Sequence, residues 1–409
     1  MNDRKVLVVG LDCAPPEIVF DRRDEFPVLR GLMERGLHGK LRSSDPPITI
    51  PAWMVMATGR DPGRLGLYGF RHRKGYSYDQ MWIANSRAVR EKRLWDYIGE
   101  AGGQSTLVSV PPSYPPYPVA GNLVSCFITP PGPGKETTFP PGLKAEIEER
   151  FGPYIFDVVF RTEDREHHLY EPGNKFESAI FDYYKYLDGR IGRLIDRAGG
   201  DTVVLVVSDH GAKRMKGAFC VNEWLIEKGW LSVKERPSKP TSLDDLAIDW
   251  DKTKAWAWGG YYARVFLNIE GREPKGVIPP EDYERERDAL LAEIKAVRGP
   301  KGEPWATKVI KPQGYYDELE GEYPDLMVYF DDLYWRSAGT LGYGTMYLPE
   351  NDTGPDDAVH AQDGIYILHD PKDGRAGKRD ADILDIAPTV LDIMGLPAPP
   401  GLKGKVLRP

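Results

Sequence analysis

With 409 residues, 41% hydrophobic and 28% charged, the chain has an ordinary globular composition and room for one large α/β domain with insertions or two domains sharing a core, which excludes disordered and fibrous classes. A net charge of -8 denies it the basic face that a nucleic-acid polymer requires, without excluding a small nucleotide. Cys13, Cys126 and Cys220 are odd in number and far apart, which argues against disulfides and a thiolate metal site and fits a reducing, cytoplasmic location; the start "MNDRKVLVVG" is too short an apolar run for a signal peptide, and no window approaches a membrane span.

Lys5 to Val9 is a short apolar run closed by Gly10, and "EIVFDRRDEFPVLRGLMERG" after it has helical spacing up to Gly36. This is strand, loop and helix in the order of a parallel sheet. The strand delivers Asp12 just beyond its end. In "SSDPPITIPAWMVMATGRDPG" a helix-tolerant run, Ala52 to Ala57, follows Pro51, so Pro51 belongs in the first helical turn. The Thr49 hydroxyl then lies near a helix N-terminus, where free N–H groups favour bound phosphate, although a threonine there also serves as a plain cap.

Pro111 to Pro118 and Pro130 to Pro141 read as irregular loops. In "FRTEDREHHLYEP", Asp164 and His168 are four apart and share a face if the segment is helical; a solvated loop is the alternative, and His167 leaves the choice of histidine open. From Asn174 to Asp196 the positions Phe176, Ile180, Tyr184, Leu187, Ile191 and Leu194 mark a long amphipathic helix stopped by Gly199 and Gly200. Thr202 to Val207 follows as a strand so continuously apolar that it belongs in the centre of a parallel sheet. It stops on Ser208, Asp209 and His210.

Texture changes between Lys234 and Val297. Trp250, Trp256 and Trp258 cluster there, "YYARVFLNIEGREP" alternates as a strand, and "PEDYERERDALLAEIKAV" is a charged helix. We read 234–297 as an inserted cap on a core made of 1–233 and 298–409, its aromatics packing the cap or stacking on a ligand. Core texture returns with "PDLMVYF" and "DGIYIL". His360 precedes and His369 follows the latter strand, and "ILDIAPTVLDIMGL" closes the chain as a helix stopped by Gly395 and Pro397.

Ligands of open sheets bind beyond the carboxyl ends of the strands, and two strands here end on acids, at Asp12 and at Asp209 with His210. Each end alone is explained by a cap or a turn. Two in one sheet favour a metal site, and mixed carboxylate and imidazole donors suit Zn²⁺ or Mn²⁺, where an all-oxygen set suits Mg²⁺ or Ca²⁺.

In order along the chain, "GLD", "TIPAW" with "ATGRDPG", "DREHH", "VVSDHG" and "HAQDG" resemble the alkaline phosphatase superfamily. More narrowly they resemble the type I phosphodiesterase and nucleotide pyrophosphatase group and its prokaryotic predicted phosphohydrolases and phosphomutases. "FCVNEWLIEKGWL", "NIEGREPKGVI" and "ILDIAPTVLDIMGLPAP" extend the likeness over nearly the whole chain. The resemblance implies an α/β fold, a three-layer core with a mostly parallel central sheet flanked by helices. It also implies two divalent metal ions, Zn²⁺ or Mn²⁺, one held by Asp164, His168 and His360 and the other by Asp12, Thr49, Asp209 and His210. The group's Asp-x-x-x-His and His-x-x-x-Gly spacings select His168 over His167 and, with Gly364, His360 over His369.

Thr49 would attack phosphorus, and water would release the phosphothreonine, making the protein a phosphodiesterase of a small phosphate ester. The alternatives are a phosphomutase or phosphotransferase that hands the group to an alcohol, and a non-catalytic metal-binding scaffold. Threonine at position 49, where a sulfatase holds a modifiable cysteine or serine, disfavours sulfatase chemistry. Two departures stand out: Phe70 replaces the group's phosphate-binding asparagine, and Leu65 replaces a frequent histidine. The phosphoryl oxygen must then be met elsewhere, by the Thr49 amide, Arg71, Arg73 or Lys213.

Overall fold

Every residue of the strand Val203–Val207 is buried because its two faces are covered by different helices. Val204 and Val206 pack with Leu29, Leu32 and Ile191, while Val203, Leu205 and Val207 pack with Ile50, Ile386 and Val390. Successive strand residues point to opposite faces, so burial on both sides demands a continuous apolar run. The helices are α1 (Pro27–Glu34), α2 (Thr49–Thr58), α3 (Ala179–Ala198) and α4 (Ile386–Ile393); α1 and α3 cover one face, α2 and α4 the other. The computed structural model describes residues 1–132, 134–156, 173, 177–352 and 357–408.

The helical stretch expected before Gly36 is interrupted. Short turns at Pro16–Val19 and Arg23–Glu25 precede α1, which starts afresh at Pro27 because proline lacks an N–H and disfavours helix in the residue before it. The long helix runs from Ala179 and ends, as expected, at Gly199; Asn174 and Phe176 lie outside the described residues.

The central sheet has six strands: β1 (Val6–Gly10), β2 (Leu37–Arg42), β3 (Val203–Val207), β4 (Asp363–His369), β5 (Gly377–Lys378) and β6 (Ala381–Asp382). The spatial order is β1, β3, β4, β2, β5, with β6 also on β2. β1 and β3 are parallel, as are β2, β5 and β6, but β4 is antiparallel to both β3 and β2. The sheet is therefore mixed: five of its strands run in one direction and β4 runs against them. β4 enters directly from the strand Ala358–Ala361 across Gln362, without the crossover helix that a parallel neighbour needs.

A second, antiparallel sheet is built from Ala255–Trp258, Ala263–Leu267, Leu326–Tyr329 and Lys308–Ile310. Leu290 and Ile294 of the helix Tyr283–Lys295 belong to its core, and Trp256 is fully buried between Trp250 and Phe266. Contacts with the segments that follow β2 tie this unit to the rest of the chain. Arg73 and Glu273 form a buried ion pair at 3.0 Å, and Asp45 accepts from Lys308 at 3.0 Å and Tyr329 at 3.1 Å.

Candidate active site

The register of β1 and β3 pairs Gly10 with Val207, and Leu11 N–H continues the ladder to Val207 O at 2.8 Å. Asp12 and Asp209 each lie two residues past these ends, so two parallel strands bring two carboxylates side by side. His210 follows, with Nε2 3.1 Å from Asp209 Oδ2 and 3.9 Å from Asp12 Oδ1. Thr49 enters from α2, where it is the first helical residue with Pro51 inside the first turn; its Oγ1 is 3.4 Å from the same Nε2. Asp209, His210 and Thr49 are buried and Asp12 is exposed, so the cluster opens to solvent on the Asp12 side.

Both imidazoles are aimed by backbone carbonyls. His210 Nδ1 lies 3.1 Å from Gly211 O and His360 Nδ1 2.7 Å from Pro47 O, which assigns the proton to Nδ1 and leaves each Nε2 to a further partner. The rings stack at 3.8 Å. His360 is carried by the strand Ala358–Ala361, which pairs with Gly211–Arg214 so that His360 stands opposite Ala212. Gly364 then brings β4 against the Asp209 loop: a Cβ there would lie 2.6 Å from Ser208 O. Ser208 braces the loop by accepting from Ala14 N–H at 2.8 Å and donating to His210 O at 2.6 Å.

Burial raises the Asp209 carboxyl to about 6. It opposes charge on His210 too, but in the absence of a cation the Asp209 carboxylate outweighs it and holds that imidazole well above its ordinary value; a cation at the cluster would take over that role and leave His210 neutral. Burial and the neighbouring His210 push His360 well below, so it is neutral, as a metal ligand must be. Asp209 Oδ2, although near His210, is buried without a hydrogen-bond partner among the described residues. Asp12, Asp209 and His210 each offer an atom within 4.8 Å of the others, a spacing compatible with one cation.

Asp164, His167 and His168 lie outside the described residues, so the other expected ligand set contributes only His360. The basic candidates separate. The Arg73 guanidinium is buried, and its donors are taken by Glu273, Tyr76 O and Ser77 O. Lys213 is engaged by Asp332 and lies 3.9 Å over the Tyr334 ring. Arg71 is exposed and lines a cavity of about 490 Å³ together with Ile48, Phe70, Trp258, Tyr261 and Arg264. Phe70 is an apolar wall of this cavity, and Leu65 is buried in the core.

Three contacts had no separate sequence reading. Trp53 Nε1 donates to Asp12 Oδ2 at 3.0 Å, Cys13 Sγ sits 3.5 Å from His210 Nδ1, and the Tyr261 ring stacks on His360 at 3.8 Å. Trp53 had a signal, since it follows Thr49 by one helical turn and so shares its face. Burial raises the Cys13 thiol to about 11, which keeps it protonated at neutral pH in the absence of a metal ion; Cys13, His210 and His360 also offer ligand atoms within 4.8 Å of one another.

The model of the type I phosphodiesterase/nucleotide pyrophosphatase family matches residues 6–356. Two solved structures of murine ectonucleotide pyrophosphatase/phosphodiesterase 5, one of them an inactive form in complex with AMP, share the fold with TM-scores of 0.59 and 0.58. Each is 14% identical, and the match covers 97% of this chain and 96% of the murine one. No curated protein matches.

Proposed function

The chain belongs to the type I phosphodiesterase/nucleotide pyrophosphatase family and is a phosphoric ester hydrolase; from this premise we propose a two-metal phosphodiesterase in which Thr49 attacks phosphorus. The supporting observation is the meeting of Asp12, Thr49, Asp209 and His210 around a buried carboxylate oxygen that lacks a hydrogen-bond partner among the described residues. Such an oxygen is costly to bury unless a cation meets it. Three oxygens and one imidazole nitrogen suit Zn²⁺, with Mn²⁺ the alternative.

The described residues therefore fit one ion. Asp12, Thr49, Asp209 and His210 would hold one, and His360 with Asp164 and His168 the other. Bound there, the ions supply neutralisation of charge on the transferring group and a lowered pKa for the threonine hydroxyl and for water. The chain's own residues supply position and donors. The first turn of α2 leaves the Thr49 and Ile50 amides without helical acceptors, ready for phosphoryl oxygens in place of the side chain that Phe70 is not. Thr49 Oγ loses its proton and bonds to phosphorus, the alcohol departs, and water then cleaves the phosphothreonine and restores the hydroxyl.

Residues 234–297 act as the cap, and their strands Ala255–Trp258 and Ala263–Leu267 place Trp258 and Tyr261 at the cavity beside the cluster. A reducing, cytoplasmic location suits Cys13, Cys126 and Cys220, all free thiols. Among the described residues no helix is long and apolar enough to cross a membrane.

The test is a rate panel of nitrophenyl phosphomonoester, phosphodiester, phosphonate and nucleotide substrates with and without chelator. The expected result is diester hydrolysis abolished by chelator and restored by Zn²⁺ or Mn²⁺. Chelator-resistant turnover would overturn the metal assignment, and loss of the phosphoryl group to an added alcohol in preference to water would make the enzyme a phosphotransferase.

A further inference from the structure

The 490 Å³ cavity next to the cluster holds three guanidinium groups, those of Arg71, Arg264 and Arg336, in a chain whose net charge is -8. It also holds two carboxylates. Asp352 is paired with Arg336 at 3.0 Å, and Asp244 is exposed at the mouth, within the electrostatic reach of Arg71. Among the described residues neither Arg71 nor Arg264 forms an ion pair. Arg264 donates to Arg71 O and lies 5.1 Å from the Trp258 ring, contacts that orient its charge without neutralising it. Burial lowers the Arg264 guanidinium from its ordinary value, so its charge is maintained at a cost that an anion in the cavity would relieve.

The cavity borders the cluster through two of its lining residues. Ile48 immediately precedes Thr49, and Tyr261 stacks on His360 at 3.8 Å. A substrate with its scissile ester at Thr49 therefore has its far end among Phe70, Trp258, Arg71 and Arg264. Aromatic walls there lead to two guanidinium groups that form no ion pair among the described residues.

We propose that this cavity is a specificity subsite for a second oxyanion, so that the preferred substrates are phosphodiesters whose alcohol moiety ends in a phosphate or a carboxylate. The arginine fork is suited to such groups by geometry, and exclusion of water between aromatic walls strengthens the contact. The inference rests on the Thr49-centred reading only for which end of the substrate reacts.

Two arms separate the subsite from that reading. In the kinetic arm, 4-nitrophenyl butyl phosphate is compared with 4-nitrophenyl esters whose butyl chain ends in a carboxylate or a phosphate. Wild type is expected to favour a terminal anion by about ten-fold or more in kcat/KM, chiefly through KM, and Arg71→Gln to bring the ratio close to one. Arg71 is exposed, so this variant keeps the fold; Arg264→Gln is the second variant and should act in the same direction.

In the binding arm, butyl phosphate is titrated into chelator-treated protein by calorimetry, where no turnover is needed. Binding weakened about ten-fold or more by Arg71→Gln supports the subsite even if Thr49 is not the nucleophile. Thr49-dependent hydrolysis with no preference for a terminal anion, or butyl phosphate binding that Arg71→Gln leaves unchanged, would overturn it.

Discussion

The indole of Trp53 donates a hydrogen bond to Asp12 Oδ2 at 3.0 Å, across the gap between α2 and the end of β1. The contact exists because Gly10 has no side chain: a Cβ there would lie 2.5 Å from Trp53 Cη2. Asp12 is the exposed member of the cluster, and among the described residues Trp53 is the donor that orients it. Trp53→Phe keeps the packing and removes the donor, so about ten-fold to a hundred-fold should be lost in metal affinity or kcat with little change in Tm. Metal titration and steady-state kinetics on a folded variant check this; unchanged values would show that Asp12 needs no support.

Gly364→Ala tests the close approach of β4 to the Asp209 loop. The added methyl would meet Ser208 O, a backbone atom that cannot swing aside, and Ser208 braces Ala14 and His210. A loss of about 1–3 kcal/mol in urea unfolding is expected, together with reduced activity. A variant of wild-type stability would mean that the loop moves freely.

Asp45→Asn probes the segment leading into α2. Asp45 is buried and accepts from Arg42 at 2.7 Å, Lys308 at 3.0 Å, Tyr329 at 3.1 Å and Tyr315. Burial would raise its carboxyl, but Lys308, Tyr315 and Arg42 hold it below the ordinary value. Its contribution is therefore present at neutral pH and is lost as the pH falls through the lowered folded value. Both cations keep nearly half of their side-chain surface in water, so the cost of Asp45→Asn should be modest, about 1–3 kcal/mol at pH 7 by denaturant unfolding.

His72 sets a pH dependence of its own. Its Nε2 accepts the Tyr68 N–H at 2.9 Å, and burial lowers the imidazole to about 3. The unfolded chain takes up this proton near 6.5 and the folded chain does not, so stability falls as the pH drops below 6.5, by up to about 1.4 kcal/mol per pH unit, and levels off near 3. His72→Gln should lose this component. Urea midpoints for both proteins between pH 7.5 and 4.5, chosen as roughly the window that brackets the unfolded pKa, check it; parallel profiles would contradict it.

Much of the layout was legible where local pattern and fold agree. The apolar run of β3 announces two-sided burial, and its abrupt end at Asp209 and His210 announces a site. The parallel pairing of β1 and β3 was legible, but the direction of β4 was not, because burial on both faces is the same whether β4 runs parallel or antiparallel to β3. Nor was the ion pair of Arg73, since its partner Glu273 is remote in sequence and nothing local marks the pairing. Tyr261 and Cys13 escaped for the same reason: each matters through a ring or an atom contributed by a distant segment.

The most direct test of the Thr49 mechanism is acid-quench mass spectrometry during turnover of a 4-nitrophenyl phosphodiester. The expected result is a phosphoryl adduct on the peptide containing Thr49, absent in Thr49→Ala, whose turnover should be lost. Full turnover by Thr49→Ala, or wild-type turnover with the adduct on another residue, would contradict it.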